Sequence, residues 1–209
     1  MKLVSGPTFN GYPIINQHGP LIERMLIGNE EVVRRSLDEH TRVAVLRCEL
    51  KFPSDHEGST EVISKFFDSL RYKLKNDLRK KTESRGRVIH SHFGYVWVKE
   101  LSNRGGWHYH VALFFNYDVY NCFGKIGSPS TNMYNRMLSS WANVIGRSMK
   151  DSIGLVEIPP NPVYKLDRRL PLIQDDINTV LFRLSYFAKV KTKPFGGEHG
   201  MRFYGTSKR

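Results

Sequence analysis

The stretch Trp107-His108-Tyr109-His110-Val111-Ala112-Leu113-Phe114-Phe115 constrains this chain more than any other. In extended backbone, alternate side chains face opposite ways. His108 and His110 therefore project together, while Tyr109, Val111, Leu113 and Phe115 project oppositely. The second set anchors a strand in a core. The first set holds two imidazoles ~7 Å apart along one face, close enough to meet on one cation. A preceding strand, Tyr95 to Leu101, is joined to it by Ser102-Asn103-Arg104-Gly105-Gly106, an Asn/Gly-rich joint that reads as a hairpin turn. Such a hairpin brings Glu100 beside the histidine pair.

The rest of the chain supplies elements to pack around that hairpin. Residues 1–18 carry glycines and prolines without an apolar period and read as an irregular arm. From Pro20 the spacing of Leu21, Ile22, Met25, Leu26, Val32, Val33 and Leu37 predicts a helix. Arg42 to Phe52 alternates, with Ala44, Leu46, Cys48, Leu50 and Phe52 on one face and Val43, Val45, Arg47, Glu49 and Lys51 on the other. Ser59 then caps a long helix through Val62, Ile63, Phe66, Phe67, Leu70, Leu74 and Leu78. A helix through Met133, Met137, Leu138, Trp141, Val144 and Ile145 ends at Gly146. Gly154 to Ile158 is strand-like before Pro159-Pro160-Asn161-Pro162 breaks it. A last helix is expected over about Asp175 to Lys189 and a final strand over Met201 to Thr206. The order α-β-α-β-β-α-β-α-β predicts one α+β domain over residues 19–209, an antiparallel sheet of about five strands with packed helices.

Charge narrows the partners. The formal net charge is +12, from 32 Lys and Arg against 20 Asp and Glu. That bias favours polyanions, nucleic acid foremost, through phosphate neutralisation. The two cysteines, Cys48 and Cys122, make neither a disulfide framework nor a zinc ribbon. No stretch resembles a membrane span or a secretory leader, so the expected location is the cytosol, without a membrane partner.

Two histidines and a carboxylate form a three-ligand set with open positions, suited to Mg²⁺ or Mn²⁺ held against a phosphate. Glu100 is the expected third ligand and Glu49 the alternative. A second triplet, His90-Ser91-His92, has a polar residue at its centre and precedes Gly94, so it reads as loop. Tyr186 lies about 180° from the apolar stripe of the last helix (Ile177, Val180, Leu181, Leu184, Ala188) at ~100° per residue. Core packing does not explain it there. Lys189 lies one turn on. A free phenol is about 4 kcal/mol from its phenolate at pH 7, and a cation at ~4 Å supplies roughly 1–4 kcal/mol. A tyrosine with both a lysine and a metal nearby is a credible covalent nucleophile. If the stripe faces the sheet, however, Tyr186 must reach the metal from the side or over an edge.

Glu100, the Arg104-Gly105-Gly106 turn, His108-Tyr109-His110 and Tyr186-Phe187-Ala188-Lys189 resemble the motifs of HUH-superfamily rolling-circle replication initiators. The nearer resemblance is to the YagK/YfjJ C-terminal domain and inovirus-type replication proteins. It draws also on Arg47-Cys48-Glu49-Leu50-Lys51-Phe52-Pro53, Tyr95-Val96-Trp97-Val98-Lys99-Glu100 and Arg202-Phe203-Tyr204-Gly205-Thr206-Ser207. The resemblance implies an HUH endonuclease, or RRM-like, fold that nicks and joins single-stranded DNA at a replication origin or origin hairpin. Tyr186 would form a 5′-phosphotyrosine and release a 3′-OH that primes rolling-circle replication of a phage, satellite or plasmid. It also implies His108, His110 and Glu100 as metal ligands, with Lys189 as helper of the tyrosine. Two-tyrosine members carry a second tyrosine about a turn away, and none lies within four residues of Tyr186. No Walker-A run is present, so a host helicase is the expected partner.

DNA is expected to follow Arg47, Lys51, the helix end Arg79, Lys80 and Lys81, and the C-terminal set Arg183, Lys191, Lys193, Arg202, Lys208 and Arg209. From Tyr164 to Arg209 there are ten Lys/Arg against four Asp/Glu. Phe195, Phe203 and Tyr204 lie among them as possible stacking platforms. Two rivals remain on the same residues: a non-cutting DNA-binding repressor or autoregulator, and a metal-dependent hydrolase that uses water.

Overall fold

The computed structural model describes residues 1–56, 61–102, 105–193 and 202–208. Ser59, Asn103, Arg104, Phe195, Met201 and Arg209, each given a role above, lie outside the described residues. In chain order the elements are β1 (Leu3–Val4), β2 (Thr8–Phe9), β3 (Tyr12–Pro13), β4 (Leu21–Ile22), α1 (Glu23–Glu39), β5 (Arg42–Lys51) and α2 (Val62–Arg85). There follow β6 (Gly94–Leu101), β7 (Trp107–Asn116), α3 (Met133–Val144), β8 (Val156–Glu157), β9 (Val163–Asp167), α4 (Ile173–Ser185), a 3-10 turn (Tyr186–Ala188) and β10 (Tyr204–Thr206).

The main sheet has the order β10-β6-β7-β5-β8, with β9 also pairing to β5, and each of these pairings is antiparallel. β8 and β9 share one edge of β5, β9 along Arg42–Leu46 and β8 along Glu49–Leu50. The alternation of β5 has the expected consequence. Leu46, Cys48 and Leu50 join Trp97, Tyr109, Val111, Leu113 and Phe115 in a core under α2 and α3. Val43 and Val45 join Val96, Val98, Ala112 and Phe114 in a second core under α1 and α4. The sheet is thus covered on both faces. Both cysteines are free thiols, Cys48 buried and Cys122 exposed.

Three readings are corrected. Residues 1–18 are not irregular: β1 pairs with β4, β2 with β3, and Tyr12, Ile14 and Ile15 are buried, the first two within the second core. The pairing also uses Leu21 and Ile22, so α1 begins at Glu23 and Pro20 is not a first helical position. β9 is an unforeseen strand, a five-residue run whose Tyr and Lys hide its pattern, with Leu166 buried and Val163 exposed. The last helix stops at Ser185, short of the expected Lys189, because tertiary partners take over its carbonyls. Asn29 Nδ2 donates to the Leu184 carbonyl (2.9 Å), and Ser185 Oγ donates back to the Phe182 carbonyl (2.7 Å). Ser185 Oγ also accepts from the Ile15 amide (2.9 Å), so the arm is tied to the end of α4.

Asn29, 1 % exposed, also lies 3.2 Å from the Tyr204 hydroxyl, which is 3.1 Å from the Met25 carbonyl. α1, α4 and β10 are therefore cross-linked through one buried amide. The Tyr204 ring tip sits directly against Gly28, where an added methyl would overlap the hydroxyl oxygen. Gly28→Ala is expected to destabilise the protein by about 1–3 kcal/mol despite the helix propensity of alanine. Gly28→Ala/Tyr204→Phe, which removes the overlapped oxygen, should recover part of the loss in urea unfolding. Equal costs for the single and double variants would show that the overlap is not the cause.

Candidate metal centre beside Tyr186

On the face under α1 and α4, the apolar rows of three strands end in polar residues. On β7, Phe114 and Ala112 are followed towards the strand start by His110 and His108. On β5, Val43 and Val45 are followed by Arg47, Glu49 and Lys51, and on β6, Val96 and Val98 by Glu100. The registers Glu49↔His110, Lys51↔His108, Val98↔His110 and Glu100↔His108 bring these ends side by side.

Glu49, His108 and His110 each offer a ligand atom within 4.8 Å of the others. The two imidazole Nε2 atoms are 3.1 Å apart. Nitrogens bound at ~2.1 Å to one ion, at angles from square to tetrahedral, stand roughly 3.0–3.4 Å apart, so this spacing, which also suits an N–H···N hydrogen bond, could accommodate a shared cation. His110 Nδ1 lies 3.2 Å from Glu49 Oε1, a contact that orients the ring. Two imidazoles with a carboxylate are a donor set for Mn²⁺ more than for Mg²⁺, which takes oxygen almost exclusively.

Charge is balanced locally. The His110 imidazole holds the Glu49 carboxyl below its ordinary value, against the effect of burial. Burial, aided by the neighbouring His110, pushes the His108 imidazole down. Burial would do the same to His110, but the Glu100 and Glu49 carboxylates outweigh it and raise it. Burial alone would raise Glu100; His110, Lys193 and Lys189 hold it far below the usual carboxylate range.

Glu100 is brought to the cluster but is engaged elsewhere. It is 1 % exposed, with Oε1 2.6 Å from Lys193 Nζ, and Oε2 2.7 Å from Lys189 Nζ and 3.4 Å from His110 Nε2. Lys193 is thus a buried counter-ion rather than a DNA contact, and burial lowers its ammonium to about 8 even with Glu100 opposing. Of the two expected candidates for third ligand, the geometry favours Glu49.

Tyr186 does reach the cluster. Tyr186 opens the 3-10 turn at the end of α4 and, although outside the apolar stripe, reaches the cluster from the helix end. Its ring stands edge-on to His110 at 5.7 Å between centroids, and Phe187 stacks on the same imidazole at 5.8 Å. The Lys189 ammonium lies 3.4 Å from the Tyr186 ring centroid, over the ring face. His18, from the arm, meets the same ring edge-on at 5.3 Å. Nothing in the sequence marks His18, since its position depends on how the arm packs.

The other expected residues divide. Arg47 lies on the site face, its Nη1 3.3 Å from Tyr164 Oη and its buried Nε without a hydrogen-bond partner. Lys51 forms an ion pair with Glu157 at the rim. A hollow of about 410 Å³ opens beside the cluster, lined by Glu49, Lys51, Phe52, Gly106, Trp107 and His108. Arg183, Lys191, Arg202 and Lys208 are exposed, Arg202 over the Trp97 ring. Arg79, Lys80 and Lys81 belong to α2, in the layer on the opposite face of the sheet, where Arg79 pairs with Glu83 and Lys81 with Asp77. His90 and His92 are in a loop, as expected, and the His92 amide donates to His40 Nε2 (3.0 Å).

A sequence profile of the YagK/YfjJ C-terminal domain matches residues 4–207. The chain is 30% identical over 191 residues to YfjJ of Escherichia coli (strain K12), described as an uncharacterized protein, covering 86% of this chain and 91% of that one. To YagK of the same organism, described likewise, it is 34% identical over 156 residues, 75% of this chain and 72% of that one. No solved structure matches. Among the described residues, no helix is long and apolar enough to cross a membrane.

Mn²⁺ titration of the purified protein tests the cluster. Glu49→Gln should weaken binding at least roughly 10-fold, and His108→Ala/His110→Ala should abolish it. His90→Ala/His92→Ala should leave it unchanged. Undiminished Mn²⁺ binding by the His108/His110 double variant would remove the site.

Proposed function

The chain belongs to the YagK/YfjJ C-terminal domain family, and from the carboxylate–imidazole cluster beside Tyr186 we propose that it nicks and joins single-stranded DNA as an HUH-type endonuclease. The observation that carries this reading is the meeting of Tyr186 with the histidine pair, at 5.7 Å between the Tyr186 and His110 rings. A nucleophile and a metal cluster from distant parts of the chain have no structural need to coincide. A water-using hydrolase leaves the tyrosine without a purpose.

In the proposed reaction the Tyr186 oxygen attacks a backbone phosphorus. The Tyr–O–P bond forms, the P–O3′ bond breaks, the phenol proton passes to solvent, and the leaving 3′-oxygen takes a proton from solvent. The phosphate thus passes to the protein as a 5′-phosphotyrosine, and attack by a DNA 3′-OH restores the phosphodiester. Glu49, His108 and His110 would hold a divalent ion, which would supply Lewis-acid polarisation of a phosphate oxygen. Lys189, fixed over the Tyr186 ring, stabilises negative charge on the attacking phenol and holds its orientation. Arg47, with one N–H unpaired on the same face, is a candidate for the phosphate itself.

The hollow beside the cluster supports a nucleotide substrate. Phe52 and Trp107 offer partly exposed rings there, and Lys51 a cation, the combination with which single strands are held by stacking and backbone charge. The exposed cations Arg183 and Lys191 extend the positive surface, whereas Arg202 lies over Trp97 of the opposite core, and we assign the DNA path to this side of the sheet in preference to α2. Priming of rolling-circle replication is the use we assign to the 3′-OH so released.

Incubation with single-stranded oligonucleotides containing a candidate origin hairpin and Mn²⁺ should give an adduct that survives denaturation. Tyr186→Phe should abolish it without changing Mn²⁺ or DNA affinity by more than about 2-fold, because only one hydroxyl is lost. Mass spectrometry should locate the phosphonucleotide on Tyr186. Tight, salt-sensitive DNA binding with no adduct would replace this reading by a non-cutting DNA-binding protein.

A further inference from the structure

We propose that Glu100 is a positioning residue and not a metal ligand: its buried carboxylate, clamped between Lys189 and Lys193, holds the 3-10 turn that presents Tyr186 to the histidine pair. The inference rests on the reading of Tyr186 as nucleophile.

Each oxygen of Glu100 pairs with an ammonium, Oε1 with Lys193 at 2.6 Å and Oε2 with Lys189 at 2.7 Å, and Oε2 also lies 3.4 Å from His110 Nε2. A ligand oxygen must turn a lone pair to the ion, and an ammonium at these distances competes for it. Glu49 completes the donor set without it. Lys189 meanwhile touches two things at once, the Glu100 carboxylate and the Tyr186 ring, and so transmits the strand's position to the nucleophile. The same segment is pinned around this ion pair. The Leu101 amide donates to the Thr192 carbonyl (3.2 Å), Leu21 bridges to Lys189, and the Val190 amide donates to the Pro20 carbonyl (3.4 Å).

An apolar contact would hold the turn to the sheet but let it slide. A carboxylate fixed to two lysines four residues apart admits one placement, because any other leaves a buried charge uncompensated. Glu100 sits on β6, paired directly with His108, so the strand that sets the turn also sets the ligands.

The test compares wild type, Glu49→Gln, Glu100→Gln and Lys193→Met as full chains, by Mn²⁺ titration and by hydrogen exchange of residues 186–193 without metal. Glu100→Gln should keep Mn²⁺ affinity within about 3-fold, against a loss of at least roughly 10-fold for Glu49→Gln. It should raise exchange across 186–193 by about 10-fold or more, as the turn opens locally. At saturating metal and DNA, its adduct-forming rate should fall about 10-fold or more while the KM for the oligonucleotide is unchanged. Exchange of β6 and β7 amides reports whether the fold survives. If Glu100→Gln does not fold, Lys193→Met, which keeps the Glu100–Lys189 pair, should loosen the turn without altering Mn²⁺ affinity.

A loss of Mn²⁺ affinity in Glu100→Gln as large as in Glu49→Gln would overturn the assignment, as would unchanged exchange at 186–193 in both variants. Titration and exchange need no DNA. Absence of adduct from wild-type protein would therefore defeat the nicking reading while these two measurements still decide the role of Glu100.

Discussion

In the β6–β7–β5 ladder, antiparallel pairing lays the ends of β6 and β5 beside the beginning of β7. Each of these strands is apolar along most of the face under α1 and α4, and each turns polar at the one end where they coincide. Hydrogen bonding between backbones therefore gathers Glu49, Glu100, His108 and His110 from separate segments, with no side-chain attraction needed to do so. The same ladder keeps Leu46, Cys48, Tyr109, Val111 and Leu113 on the other face in an uninterrupted core. A one-residue slip would exchange these sets and expose the core residues, so the penalty for misregister is borne by the whole sheet. The cluster inherits that precision.

Polar groups collected in this way must be compensated, and the compensation comes from the end of the chain. Burying Glu100 alone would be prohibitive; with Lys189, Lys193 and His110 around it, each charge has a partner within 3.4 Å. Such a group adds little net stability against an apolar replacement, but it tolerates few arrangements. Its value is in fixing how one segment sits on the sheet.

The parts of this structure that follow from local rules were legible in the sequence. The alternation of Arg42 to Lys51, the period of α2 and the hairpin carrying His108 and His110 all appear where their residues predict them. So does the nearness of Glu100 to the histidines, because hairpin register follows from turn length, whereas that of Glu49 depends on the non-local pairing of β5 with β7. What depended on distant contacts was not legible. The order in the arm comes from Tyr12 and Ile14 finding a core built by later residues. β9 exists because the edge of β5 is open to it. The end of α4, which carries Tyr186, is held by Asn29 and Ile15 from far earlier in the chain. Lys193 looked like surface charge because nothing adjacent in the chain reveals a buried carboxylate on β6.

The bonds that hold the Tyr186 turn are among the longest-range in the chain. Ile15 reaches Ser185 across 170 positions, Asn29 reaches Leu184 across 155, and Tyr204 closes back on Asn29 across 175. Loop closure over such spans is slow and comes after local structure, so the β6–β7 hairpin with its histidines can form well before the tyrosine is delivered to it. During synthesis the histidine pair emerges well before Tyr186, and β10, whose Tyr204 closes back on Asn29, emerges after both. The order of the chain thus leaves the meeting of Tyr186 with His110 to the last stage of folding.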